Sequence, residues 1–232
     1  MNNPSLSPAL APRQTRLGFL WLAVSMVLLP VILPLINQLL PTPLSIGLLN
    51  VVYYGINFAA TVGILHRFLW ESAAVALKQL PWVLLFTLLG FLGYQIMTTQ
   101  LTQLIWFFVP DFGNINDENI FSMLDADTIP LALATIFLVP LAEESIYRGL
   151  IFRNLLEKRP VVAYLVSMAA FASIHVTGYI GTASPLTLVL CFLQYLPAGL
   201  CLCFCYQQTG TIMTPILIHT IVNAVGICAY LR

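Results

Sequence analysis

"LGFLWLAVSMVLLPVILPLINQLL", residues 17–40, contains no Asp, Glu, Lys or Arg. About 20 apolar residues in a helix cross the hydrocarbon core of a bilayer, so this run reads as a membrane-spanning helix. It is longer than the ~7–15-residue core of a secretory leader, and no small-residue cleavage site follows it. Working outward, comparable runs at 44–66, 82–108, 129–152, 161–178, 185–207 and 211–231 bring the total to seven spans. Composition agrees: 59% of the chain is hydrophobic and 8% charged, with a mean hydropathy of +0.92, where a soluble domain carries about a quarter charged residues. The expected fold class is all-α, a polytopic transmembrane helical bundle. No repeat, low-complexity segment or long linker divides the chain. Residues 1–232 are expected to form one integral membrane domain, with N-terminal spans and an acidic loop over 17–128 and a core over 129–232. The formal net charge of zero excludes a broad basic surface, so the bilayer is an expected partner and nucleic acid is not.

Cytoplasmic flanks of membrane helices are enriched in Lys and Arg. Arg13 and Arg16 precede the first span, Arg67 and Lys78 follow the second, and Arg153, Lys158 and Arg159 follow the fourth. Every second boundary is therefore basic, which places the N-terminus in the cytoplasm. The segment "FLWESAAVALKQL" (68–80) reads as a short interfacial helix between spans. The loop "DFGNINDENIFSMLDADT" (111–128) holds Asp111, Asp117, Glu118, Asp125 and Asp127 without a cation. Lacking the regular spacing of a calcium loop, it reads as a solvated loop. Cys191, Cys201, Cys203, Cys205 and Cys228 form no C-x-x-C pair and read as small buried residues. His66, beside Arg67, reads as interfacial.

A second stretch, "LVPLAEESIYRGLIF" (138–152), decides where chemistry resides. A charged side chain at mid-bilayer costs at least ~2.5–3.5 kcal/mol, which makes intramembrane ionisable groups candidates for function. Glu144 and Arg148 lie at i and i+4 and share a helix face, whereas Glu143 points about 100° away and has no partner in its own segment. Phe171 with His175, and His219 with Asn223, repeat the i, i+4 spacing. Glu143 and His175 are equally far in sequence from Arg159, so an antiparallel hairpin brings them to one height. His219 lies about 12 Å into the last span and Glu143 about 10 Å below the basic surface at the helical rise, which leads to the expectation of a site near the cytoplasmic face. Ser145 lacks a G-x-S-x-G context and Ser173 faces away from His175, so a serine nucleophile is not expected. The polar stripes Asn50, Tyr54, Asn57, Thr61 and Gln95, Thr99, Thr102 read as interhelical hydrogen-bonding positions. Four readings of the constellation remain open on residues alone. They are a water-activating hydrolase, a structural polar network in a scaffold or immunity protein, a proton relay in a transporter, and a zinc site of two histidines and a carboxylate.

Three motifs along the chain, "EESIYR", "FASIH" and "HTIVN", fit E-E-x-x-x-R, F-x-x-x-H and H-x-x-x-N. Together they resemble the CPBP family of intramembrane glutamic endopeptidases, which includes the CAAX prenyl proteases and bacteriocin-processing, Abi-like proteins. The resemblance covers roughly 129–231 and implies a protease-like catalytic core in the last four spans. It implies that Glu143 takes a proton from water, that His175 positions that water, and that His219 and Asn223 donate to the oxyanion. Glu144 and Arg148 would support this set, with Phe171 packing against the imidazole. The expected partner is a peptide or protein substrate at the membrane, with lipidation left open. No cofactor is expected. Zinc remains the alternative, although H-E-x-x-H is absent and Asn223 suits hydrogen-bond donation better than ligation. The compact length and the family's distribution point to a bacterial inner membrane.

Overall fold

A computed structural model describes residues 6–232, with the backbone alone for 125–127. It contains seven helices long and apolar enough to cross a membrane: α1 Pro12–Gln38, α2 Ile46–Lys78, α3 Leu80–Phe108, α4 Thr128–Leu156, α5 Pro160–Thr177, α6 Pro185–Thr209 and α7 Met213–Tyr230. The described residues form no strand. Large apolar side chains such as Leu20, Val27, Leu88, Phe107 and Leu165 are exposed on the outside of the bundle, where lipid is the matching solvent. The chain is a multi-pass integral membrane protein with an all-α fold.

Helices α1, α4 and α6 carry internal prolines, which lack an N–H and clash with the carbonyl four residues back. Wide turns of the π type at Val24–Leu28 and Ala134–Leu138 precede Pro30 and Pro140 and absorb that misfit. A third wide turn, Ser145–Phe152, follows the glutamate pair and is buried throughout.

Three expectations need correction. Residues 68–80 do not form a separate interfacial helix, because α2 runs unbroken to Lys78. Phe68, Ser72 and Ala76 recur every fourth residue and are buried on one face of it. The acidic segment is not simply a solvated loop: a helix over Ile115–Leu133 runs into α4, with the Asn114 side chain accepting from the Asn116 and Asp117 amides. Asp117 and Glu118 occupy its first turn, where the helix dipole favours negative charge. The side chains of Asp125 and Asp127 lie outside the described residues. Finally, Cys191, Cys201, Cys203 and Cys205 are buried as expected, but Cys228 is exposed near the end of α7.

The bundle has a basic end, where α2, α4 and α6 finish and α3, α5 and α7 begin. It is closed by the segment before α1. The Ser7 amide donates to the Gly210 carbonyl at 2.7 Å, and its carbonyl accepts from Arg153 Nε at 3.0 Å. Its hydroxyl lies 3.0 Å from that of Tyr206. Gly210 has φ 67°, a left-handed conformation that only glycine adopts cheaply, and this permits the tight reversal from α6 to α7. Leu10, Leu65, Phe68, Leu150, Phe152 and Ile212 fill the space behind this closure.

Along their helices, Glu143 and His175 lie about 20 and 22 Å from the basic ends of α4 and α5, whereas His219 lies only about 9 Å into α7.

Candidate active site

The glutamate pair is split between two environments, because neighbouring residues on a helix point about 100° apart. Glu144 is fully buried. Its Oε1 accepts from Arg148 Nη1 at 3.0 Å and from His219 Nδ1 at 2.9 Å, tying α4 to α7. The Arg148 guanidinium lies 4.2 Å from the centroid of the Phe171 ring, a cation–π contact that links α4 to α5. Burial of two ions is tolerable only when each has its partner in place. Glu144 and Arg148 are ion-pair partners of one another, although Glu144 Oε2 and Arg148 Nε and Nη2 have no hydrogen bond among the described residues.

Glu143 has no such partner. Its Oε2 is buried without a hydrogen bond among the described residues, and it lines two cavities that meet at this side chain. One, of about 370 Å³, is also lined by His175, His219 and Asn223 and reaches Asn116 and Asp117 at the acidic end. The other, of about 520 Å³, lies against α1 and is lined by Leu22, Met26, Val31, Ile146 and Tyr147. The unpaired carboxylate stands between a polar chamber and an apolar one.

The imidazoles are oriented by their Nδ1 atoms. His175 Nδ1 is 2.8 Å from the Phe171 carbonyl, and a carbonyl only accepts, so the proton is on Nδ1 and Nε2 keeps its lone pair. The ring lies almost flat on Tyr195 of α6, with centroids 3.9 Å apart and planes at 24°. His219 donates through Nδ1 to Glu144, which likewise leaves Nε2 uncommitted. Asn223 spends one amide hydrogen on the Thr135 carbonyl at 2.8 Å and keeps the second. Phe171 contacts both imidazoles, 4.8 Å from His175 and 5.9 Å from His219 between ring centroids.

All the residues expected at the site converge here: Glu143, His175, His219 and Asn223 around the chamber, and Glu144, Arg148 and Phe171 behind it. Ser145 and Ser173 do not join them, since each hydroxyl donates to the carbonyl four residues back. The described residues contain no group of three or more His, Cys, Asp or Glu able to hold a metal ion.

Sequence reading missed the outer wall of the chamber. Tyr195 Oη donates to Asp117 Oδ1 at 2.9 Å and accepts from Asn116 Nδ2 at 3.0 Å. Asn114 Nδ2 donates to Gln194 Oε1 at 2.7 Å, and Gln194 Nε2 donates to Thr102 Oγ1 at 2.7 Å. Desolvation pushes the Asp117 carboxyl above its ordinary range, with the hydrogen bonds from Tyr195 and Asn116 pulling the other way. The one available signal was the polar pair Gln194–Tyr195 inside an otherwise apolar helix. Of the polar stripes, Asn50 and Tyr54 line the chamber, and Thr102 makes the interhelical bond expected of it.

Residues 125–225 match the family model described as Type II CAAX prenyl endopeptidase Rce1-like. No curated protein and no solved structure matches the chain. The matched segment contains all three motifs, in agreement with the resemblance they carry, and leaves α1 to α3 outside it.

Proposed function

Taking residues 125–225 as an Rce1-like domain of the CAAX endopeptidase type, we propose that the protein is an intramembrane endopeptidase in which Glu143 activates water. The observation that carries this reading is the unpartnered, buried carboxylate of Glu143 in one chamber with two imidazoles and an amide. A water in that chamber can donate one hydrogen to Glu143 and the other to Nε2 of His175, which turns its lone pair toward a peptide carbonyl. Glu143 takes the proton as the water oxygen bonds to the carbonyl carbon, and the carbonyl π electrons move onto oxygen. Asn223 donates its free N–H to that oxyanion. Such a donor is worth ~2.7–4 kcal/mol in comparable sites. His219 faces the same chamber, with its Nδ1 held by Glu144. When the tetrahedral carbon collapses, the C–N bond breaks and Glu143 returns its proton to the departing amine. No acyl-enzyme and no metal enters the sequence.

Water and the peptide reach the site through the chamber, hence from the acidic end. With the basic end cytoplasmic, as the positions of Arg13, Arg16, Arg67, Lys78, Arg153, Lys158 and Arg159 support, the mouth faces the outer side of the membrane. This replaces the cytoplasmic-face cleavage expected from sequence. The apolar cavity against α1 suits the hydrocarbon portion of a membrane-embedded substrate. We take residues 1–232 as one domain, in which α1 to α3 form the walls of both cavities.

The test is Glu143→Gln, which is nearly isosteric. Cleavage products of the membrane proteome should lose their new termini by roughly 10²–10⁴-fold, the usual contribution of a general base, while the variant purifies as a folded protein. Unchanged products, with biological activity intact, would leave a structural network in a scaffold as the better reading. Activity that falls on chelation and returns with zinc would replace the metal-free scheme.

A further inference from the structure

The reaction scheme uses Nε2 of His175 but does not say what holds that ring in place against an open chamber. Its Nδ1 bond to the Phe171 carbonyl fixes one atom and leaves the ring free to swing about it. The second restraint is Tyr195. The stacked geometry, with centroids 3.9 Å apart and planes at 24°, covers one whole face of the imidazole. Tyr195 is in turn fixed at its far end, where its hydroxyl donates to Asp117 and accepts from Asn116. Both partners belong to the first turn of the helix that opens at Ile115, and that turn is held on α6 by the bond from Asn114 to Gln194. The acidic segment thus has a continuous mechanical connection, through one phenol ring, to an imidazole of the site.

We propose that Tyr195 is a positioning residue for His175, and that Asn116 and Asp117 act on the site through it. The role assigned to His175 rests on the endopeptidase reading, whereas the restraint on its ring stands apart from that reading. The acidic segment is then a structural part of the active site, and movement of its first turn away from α6 would loosen the imidazole.

Selective ¹⁵N-histidine NMR of the full chain in detergent tests this without any substrate. The chain has only three histidines, and His66→Gln leaves the two of the site. In the parent, His175 should show a single Nδ1–H tautomer. Tyr195→Leu should give His175 mixed tautomers or exchange broadening while His219, bonded to Glu144, stays unchanged and reports an intact fold. Tyr195→Phe keeps the stack and should retain the tautomer. Asp117→Ala should shift His175 in the parent and have no effect in the Tyr195→Phe background, the non-additivity expected of residues coupled through a shared partner. For any peptide whose cleavage is lost in Glu143→Gln, Tyr195→Leu should lower kcat up to about 10²-fold, the scale of a small misplacement, with KM little changed and Tyr195→Phe intermediate. An unperturbed His175 resonance in Tyr195→Leu, or additive effects of Asp117→Ala and Tyr195→Phe, would overturn the proposal. Persistent cleavage by Glu143→Gln with the predicted NMR behaviour would instead remove the endopeptidase reading and leave the restraint standing.

Discussion

At the basic end, Ser7, Arg153, Tyr206 and Gly210 interlock through short hydrogen bonds over an apolar cluster. At the acidic end, Asn114, Asn116 and Asp117 reach Gln194 and Tyr195 across a chamber of about 370 Å³. The first end is held mainly by apolar packing and backbone groups, the second by polar side chains meeting one another. Close packing resists any rearrangement, because interior side chains already sit at crystal-like density. Side-chain hydrogen bonds are individually worth only about 1 kcal/mol. On the proposed reading, the closed end supplies rigidity and the other end gives water its way to the site.

Several experiments would break or sharpen that contrast. The largest effect is all-or-none. In a Cys228→Ser background, an impermeant maleimide added to intact bacterial cells should label Glu118→Cys, and should label Arg159→Cys only after lysis. The opposite labelling would turn the bundle over and open the chamber to the cytoplasm.

Next in size are changes to the closed half. Glu144→Leu leaves Arg148 charged and buried without its carboxylate, and should destabilise the protein by about 3–5 kcal/mol in detergent melts. Adding Arg148→Met should recover a large part of that loss. Phe152→Ala, which empties a fully buried position, should cost about 3–5 kcal/mol as well. Asn116→Ala at the open end, which removes one bond to Tyr195, should cost only about 0.5–1.5 kcal/mol, the net worth of a hydrogen bond. Equal losses at the two ends would erase the distinction drawn here.

The smallest effect concerns Asp117. Its carboxyl is raised in the folded state, so the folded protein holds the proton more tightly than the unfolded chain. That contribution favours folding at low pH and is lost as pH rises from the ordinary carboxylate value of ~3.9 through the raised one. Asp117→Asn should therefore equal or slightly exceed the parent in Tm at pH 7, with the difference closing as pH falls below that window. A difference that grows on acidification would contradict the raised carboxyl.

Spacing made part of the site legible and hid another part. Glu144 with Arg148 and Phe171 with His175 were readable because helical geometry puts i and i+4 on one face, and both pairs do meet. The bond from His219 to Glu144 was not readable, because it joins residues of α4 and α7. Tyr195 was missed for the same reason. Its partners come from α5 and from the helix opening at Ile115, and no local periodicity encodes a contact between separate helices. A common depth was not readable either, because Glu143 and His175 lie far along their helices from the basic end while His219 lies near the start of α7.

The sequence by itself determined that this chain spans a membrane seven times, that seven of its nine Lys and Arg lie at one end, and which helices carry its few intramembrane polar groups. These properties follow from apolar length, the cost of charge in lipid and the 3.6-residue turn, all of which act locally. Only the tertiary structure decided that Glu143 lines two cavities while Glu144 pairs with Arg148 and His219. Those outcomes depend on which side chains from distant helices fill the space around each carboxylate, and packing of that kind is a property of the assembled bundle.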